Sequence, residues 1–264
     1  MTQFYPPLEE YKRFTIEFMG LQFNFLWQWL QKHPEEDIRH AIRHRIDLCR
    51  KTDTSPKHFD VATIDYNRPE WIELENKIID IFSDKNLSAN PEKFEETALS
   101  VSSKILIRFA ELTWGSNGKF IDYQCGSLKY DTPEPNKPYQ IMFHIGNAVS
   151  PKSIFEDRNY LKNCFLMLMD QTEKKFGAKI LYTHSWLNSL PKWLEYFPEE
   201  WLNNLGPEDK NVSWGYGHWG QFISAKGVLN EKYAKFLRET GEFPFWPRSS
   251  TCSFSEMRKH LATL

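Results

Sequence analysis

The stretches YQIMFHIGN, residues 139–147, and AKILYTHSW, residues 178–186, decide the fold of this chain. Both are short runs rich in β-branched and aromatic residues, a composition typical of strands. Between them we predict a helix that is capped by Ser150, has Pro151 in its first turn and ends at Gly177. Its apolar positions, which recur near helical spacing, are Ile154, Leu161, Phe165, Leu168 and Met169. Because a helix between two strands of one sheet normally makes a right-handed crossover, the two strands should be parallel neighbours.

Two further strands are predicted on either side of this unit. Upstream, KFIDYQCGSLKYD (119–131) is followed by the loop TPEPNKP (132–138), which favours an antiparallel pair with the strand at 139–147. Downstream, NVSWGYGHWGQFIS (211–224) has the alternation of a strand. We therefore expect an α/β fold in which a mixed central β-sheet is flanked by helices.

The chain before this sheet is mostly helical in its pattern. Helices are predicted at 8–32, at 35–51, from Arg68-Pro69-Glu70, and from Asn90-Pro91-Glu92 to about Thr113. After the third strand, a short helix should be capped by Asn188 or Ser189, a helix should occupy 228–239, and a last one should begin at Ser253. The expected organisation is a helical N-terminal region, 1–115, and an α/β region, 116–264, that pack as one unit.

Composition excludes several classes of protein. The chain has 264 residues, 41% of them hydrophobic, and a net charge of −2, which favours a folded domain without a basic footprint for nucleic acid. No segment is apolar enough to be a signal peptide or a membrane span. The four cysteines are scattered and form no CxxC motif, so we expect a cytoplasmic protein. The basic stretch between Arg39 and Lys51 is interpreted as a solvated helix face.

Four pieces of this sequence, in order, resemble a GNAT-like acyltransferase family that carries a helical N-terminal region. They are Gly126-Ser127-Leu128-Lys129-Tyr130-Asp131, His144-Ile145, His184-Ser185-Trp186-Leu187 and Leu194-Glu195-Tyr196-Phe197-Pro198. The resemblance covers about residues 120–205. It implies a GNAT-like sheet and acyl transfer to a small molecule, with acyl-CoA or another acyl donor.

His144 and His184 are the leading candidates for catalysis. Both lie near the C-terminal ends of strands that should be neighbours, and ligands bind outside those ends in open α/β sheets. Two imidazoles could serve there as general base and general acid. Backbone N–H groups around Gly146-Asn147, or the predicted helix start at Ser150, would hold the oxyanion of an acyl-transfer intermediate.

A bound metal is the alternative hypothesis. Two histidines with one carboxylate suit non-haem Fe(II), and three histidines suit zinc or a cupin-like iron site. The candidate ligands are His144, His184 and His218, with Asp131 or Asp122 as the carboxylate. Such a site would make the protein a metal-dependent enzyme, for example an iron oxygenase.

Aromatic residues of the last third predict the wall of a substrate pocket. On a strand, Trp214, Tyr216 and His218 would share one face, with glycines opposite that allow close approach of a ligand. Trp186 would extend the wall, and Asn188 and Gln221 would orient the substrate by hydrogen bonds. A ligand-binding protein without catalysis is the third hypothesis for the same scaffold.

Overall fold

The N-terminal region is helical, as its apolar periodicity predicts. The computed structural model describes residues 4–52, 64–115 and 123–264. The long helices α1 (Leu8–Lys32) and α5 (Pro91–Thr113) pack along each other, with α2 (Ile38–His44), α3 (Leu48–Lys51) and α4 (Pro69–Ser83) beside them. Asn90 caps α5 by accepting a hydrogen bond from the Lys93 amide at 2.8 Å. The predictions for these two long helices and for the start of α4 are confirmed.

The single helix predicted over 35–51 is wrong, because the chain breaks it at Arg45–Asp47. The Asp47 backbone N–H donates to the side-chain oxygen of Gln22, a residue of α1, at 2.6 Å. It therefore does not take part in the hydrogen bonding of a continuous helix. The Asp47 carboxylate then binds Arg50 in the following turn. Tertiary contacts with a buried glutamine override the helical pattern here.

The basic stretch of α2 and α3 is not a solvated face. Arg43 donates two hydrogen bonds to Glu75, at 2.6 and 2.8 Å, and Glu75 is fully buried. Arg45 pairs with Glu36 at 2.9 Å. Because carboxylates from other elements meet these cations, the stretch faces the protein rather than water.

The predicted strand pair and the parallel crossover are confirmed. In the described part of the chain, β1 (Leu128–Tyr130), β2 (Gln140–Ile145), β3 (Ile180–Ser185) and β4 (Arg248–Ser253) form one sheet in the order β1-β2-β3-β4. β1 and β2 are antiparallel, whereas β2 and β3 are parallel and are connected through α6 (Arg158–Phe176). The beginning of the strand predicted over 119–131 lies outside the described residues.

The strand predicted over 211–224 is wrong, and another segment takes its place. Residues Tyr216–Trp219 form a short helix, α9, and a 3-10 turn follows at Gly220–Phe222. The fourth strand is instead RSSTCS, which pairs with β3 in antiparallel fashion over six residue pairs. Its serines and threonine carry no apolar alternation, which explains why no strand is predicted there.

The helix after β2 begins seven residues later than predicted. Ser150 does not cap it, since its hydroxyl donates to the Ala225 carbonyl at 2.7 Å. Asp157 is the cap and accepts from the Asn159 amide at 2.9 Å. The predicted end at Gly177 is confirmed, with a φ of +67° at that glycine.

Four further short helices follow in the described part of the second half, of which the sequence predicts the first, third and fourth. They are α7 (Pro191–Leu194), α8 (Glu199–Asn203), α10 (Glu231–Thr240) and α11 (Phe254–Thr263). The last helix, predicted from Ser253, begins at Phe254, and the Ser253 side chain caps it by accepting from the Glu256 amide at 3.3 Å. The cap predicted at Asn188 or Ser189 is wrong: residues 186–189 form a 3-10 turn, and Leu190 precedes α7.

Buried side chains of the described residues form two clusters. The second combines the inner face of the sheet with α6, α7, α8 and α11. Its centre is aromatic: the ring centroid of Phe197 lies 4.1 Å from that of Trp201, in a stacked arrangement, and 5.3 Å from that of Phe165. The first unites the N-terminal helices with residues from the second half of the chain, namely Val212, Trp219, Phe222, Leu229, Ala234, Leu237 and Phe243.

None of the described helices is long and apolar enough to cross a membrane.

Candidate functional site

His144 and His184 lie on the same face of neighbouring parallel strands. In the β2–β3 ladder, Gln140, Ile141 and Met142 lie opposite Ile180, Leu181 and Tyr182. The same register, extended by two residues, places His144 beside His184. The Thr183 hydroxyl donates to the Phe143 carbonyl at 2.8 Å, so the strands stay together one residue beyond the ladder. Residues directly opposite each other in a sheet are about 4.8 Å apart.

This face is the less buried side of the sheet. Along β2 and β3, Ile141, Phe143, Leu181 and Thr183 are buried against the helices, whereas His144 is exposed and His184 half-buried. The expectation that both histidines lie near the C-terminal ends of adjacent strands is therefore confirmed. Their imidazoles, however, pair with different carboxylates.

His144 pairs with Asp131, the residue that follows β1. Its Nε2 lies 2.6 Å from the Asp131 Oδ2, and both side chains are a little under half exposed. Lys129 lies directly opposite His144 in the β1–β2 ladder. Opposed residues of an antiparallel pair have Cβ atoms about 5 Å apart, so a cation flanks this imidazole–carboxylate pair.

His184 pairs with Asp209, which lies in the loop between α8 and α9. The two side chains, 32% and 37% exposed, approach to 3.3 Å between Nε2 and Oδ2. The other ring nitrogen, Nδ1, faces α9: a Cβ added to Gly217 would lie 3.9 Å from it. Among the described residues, none accepts or donates a hydrogen bond at this Nδ1, which leaves it available to a ligand.

His218 is not part of the same arrangement. It is 2% exposed, with Nε2 donating to the Asp209 backbone carbonyl at 3.2 Å. Burial lowers the pKa of this imidazole, although contacts with Asp209 oppose the effect. A buried, neutral ring on a helix differs from the strand residue that the sequence predicts, because Trp219 beside it is drawn into the first hydrophobic cluster.

The predicted metal ligands do not converge. In residues 4–52, 64–115 and 123–264, no three His, Cys, Asp or Glu side chains are grouped so that they could hold a metal ion. Asp131 is present as the partner of His144, and the alternative carboxylate, Asp122, lies outside the described residues. The residues that the structure describes therefore do not fit the predicted iron or zinc site.

The predicted aromatic wall is divided between two surroundings. The ring centroids of Trp214 and Tyr216 each lie 5.2 Å from the Arg50 guanidinium of α3. Trp186 packs against Phe245, with ring centroids 6.1 Å apart, and its indole nitrogen would lie 3.1 Å from a Cβ at Gly220. The shared strand face predicted for Trp214, Tyr216 and His218 is wrong, since these residues lie in or next to α9.

Three predicted polar site residues form hydrogen bonds with backbone groups instead of facing a ligand pocket. Asn188 is fully buried and donates to the carbonyls of Thr183 and Arg248 at 3.2 and 2.7 Å. The Gln221 amide spans His218 and Phe245 with three hydrogen bonds of 2.9 to 3.0 Å. The Asn147 amide donates to the carbonyls of Lys152 and Ala225, at 2.8 and 3.2 Å, and fixes the loop after β2.

Lys129 and Asp209 are the site residues that sequence reasoning missed. Lys129 lies within Gly126–Asp131, the first of the four segments quoted for the family resemblance. Its alternation with buried Leu128 and Tyr130 would have placed it on the exposed face. Asp209 lies in a polar loop 25 residues after His184, where no spacing marks it. Only the fold brings it back to the end of β3.

No protein-family model matches this chain, and no curated protein or solved structure matches it either. The resemblance to GNAT-like acyltransferases thus stays a prediction made from the sequence.

Proposed function

We propose that this protein is an enzyme that transfers an acyl group to or from a small molecule on a GNAT-like scaffold, with His184 and His144 as its acid–base groups. One observation carries the proposal: two imidazole–carboxylate pairs lie side by side on the exposed face of parallel strands. A carboxylate that holds one ring nitrogen orients the imidazole and stabilises its protonated form.

His184 is the proposed general base. Its Nδ1 would accept the proton of an amine, hydroxyl or water as that nucleophile attacks the acyl carbonyl. Asp209, at 3.3 Å from Nε2, would stabilise the imidazolium that forms. The proton then needs a route to the leaving group.

His144 is the proposed general acid, because its pair with Asp131 is more exposed and lies on the adjacent strand. It would donate a proton to the departing group as the tetrahedral intermediate collapses. Lys129, opposite His144, would offset the negative charge that develops on the carbonyl oxygen. Lys129 takes this role in the proposal because the Gly146 N–H already donates to the Ser127 carbonyl at 3.0 Å and no helix begins at Ser150.

The test compares His184→Gln, Asp209→Asn and His144→Gln with the wild type. Purified proteins would be assayed for thiol release from acyl-CoA with a panel of amines, and for nitrophenol release from p-nitrophenyl acetate. General acid–base groups contribute about 100- to 10,000-fold to rate, so each histidine variant should lose about 100-fold or more. His40→Gln is the matched control, since His40 also pairs with a carboxylate, Glu36 at 2.7 Å, but lies on α2.

Gly217→Ala tests access to Nδ1 without altering any polar group. The added methyl would be at ordinary contact distance, 3.9 Å, so the fold should tolerate it while the space before Nδ1 narrows. Gly215→Ala is its control, because the nearest atom there is the Ser213 hydroxyl at 3.6 Å. Activity should fall in the first variant and persist in the second.

Full activity in both histidine variants would contradict the proposal and leave ligand binding without catalysis. Stoichiometric iron or zinc in the purified protein, lost in His144→Ala and His184→Ala, would replace it with the metal-dependent hypothesis.

A further inference from the structure

Lys51, at the end of α3, has a side chain that is only 12% exposed. Its ammonium lies 5.1 Å from the ring centroid of Phe109 on α5. Burying a cation costs free energy unless a partner compensates for the lost water. The groups around Lys51 therefore decide whether the charge is satisfied within the chain.

The nearest carboxylate already serves another cation. Asp47 accepts two hydrogen bonds from Arg50, at 2.8 and 2.5 Å, one on each oxygen. Lys51 Nζ lies 4.0 Å from the same carboxylate, beyond hydrogen-bond distance. No described residue accepts a hydrogen bond from this ammonium, so two cations share one buried carboxylate.

Arg50 is held on its other sides as well. Its guanidinium lies over the rings of Trp214 and Tyr216, which, with Asp47, fix it in place. Burial would lower the pKa of Lys51, but Tyr216, Asp47 and Tyr11 outweigh that effect and raise it. The ammonium is therefore charged at neutral pH and is the cation of this pair that remains able to bind an anion.

We propose that Lys51 binds the carboxylate group of a small ligand beside Phe109 and Tyr216. Among the described residues, Arg50 and Lys51 carry two positive charges beside the one negative charge of Asp47, and this surplus of one favours a ligand group with one negative charge. A carboxylate carries one, whereas a phosphate ester at neutral pH carries about 1.5 to 2.

This binding position is next to the proposed catalytic site, yet does not depend on it. Tyr216 and Gly217 are consecutive residues of α9, and they face Arg50 and His184 respectively. Binding can be measured without any turnover, so failure of the acyl-transfer proposal leaves the carboxylate position open to test.

The experiment is calorimetric titration of the full-length protein with acetate, benzoate and inorganic phosphate at constant ionic strength. Lys51→Met removes the charge and keeps the apolar stem, whereas Lys51→Arg keeps the charge. Lys104→Met, at an exposed position of α5, is the control. We expect saturable binding of a carboxylate by wild type and Lys104→Met, with Lys51→Met weaker by about tenfold or more and Lys51→Arg in between.

If Lys51→Met fails to fold, the wild type supplies the answer. Benzoate should then protect Lys51, but not Lys104, from an amine-reactive acylating reagent, as read by mass spectrometry. Absence of saturable carboxylate binding, equal binding by a folded Lys51→Met variant, or unprotected Lys51 would each overturn the proposal. Binding of phosphate alone would overturn the assignment of a carboxylate.

Discussion

At the scale of single residues, the buried imidazole of His218 makes the stability of this protein depend on pH. Burial lowers its pKa from the usual 6.5, so below that pH the unfolded chain binds a proton that the folded chain resists. Stability should thus be complete above about pH 6.5 and fall below it, by up to about 1.4 kcal/mol per pH unit.

His218→Gln tests this effect, because glutamine keeps an N–H donor for the Asp209 carbonyl and does not titrate. Urea unfolding would be followed at about pH 7.5 and pH 5.5, and between these the wild type should lose more stability than the variant, by at most about 1.4 kcal/mol. An equal loss of stability in both proteins would show that His218 binds its proton as readily in the folded chain as in the unfolded chain.

Residue roles were predictable from the sequence only in part. The positions of His144 and His184 follow from strand patterns and are confirmed, but the carboxylates that orient them come from segments 13 residues before and 25 residues after. Asn188 shows the opposite limit. A polar residue after a strand predicts a ligand contact, yet the Asn188 side-chain nitrogen donates to two backbone carbonyls, and its oxygen accepts from the Trp193 indole at 3.1 Å.

At the scale of elements, Gly126 lies two residues before β1 and packs against α6. Its φ is +66°, and a Cβ there would lie 2.7 Å from the Cys164 sulfur of α6. Gly177 has nearly the same φ, +67°, with no atom within 4 Å of the added Cβ. An alanine at Gly177 therefore measures the cost of the backbone conformation alone, whereas an alanine at Gly126 adds the cost of crowding against α6.

Gly177→Ala should destabilise the protein by about 1–2 kcal/mol, the cost of the left-handed conformation alone. Gly126→Ala should cost about 1–3 kcal/mol more, because the strand must move away from the helix. In urea unfolding, Cys164→Ala should recover part of that excess in the Gly126→Ala background. Equal losses for the two glycine variants would mean that β1 shifts freely against α6.

Strand recognition shows which elements a sequence reveals. β2 and β3 bury every second residue against helices, so their alternation is visible in the amino-acid sequence alone. β4 is held by its six-pair ladder with β3, and neither its serines nor its threonine signals burial. The α9 segment alternates like a strand, but it forms a short helix whose Trp219 indole donates to the Arg45 carbonyl at 2.9 Å, a tertiary contact that its sequence does not reveal.

At the scale of the whole molecule, the N-terminal helices do not complete a core by themselves. Trp219, Phe222 and Phe243, all buried, pack into the first cluster from the second half of the chain. A fragment of residues 1–115 should therefore lack a cooperative urea transition and have reduced helical circular dichroism per residue. A transition as stable as that of the full chain would show that the helical region folds independently.

The two hydrophobic clusters alternate along the chain, and this order has a consequence during synthesis. Helices α1 and α5 leave the ribosome long before Val212 and the residues that follow it, which complete their core. At about 5–20 residues per second, a delay of about 100 residues lasts about 5–20 seconds. For that time the apolar faces of α1 and α5 lack their final partners, so we expect the nascent chain to need protection from aggregation until its last quarter has emerged.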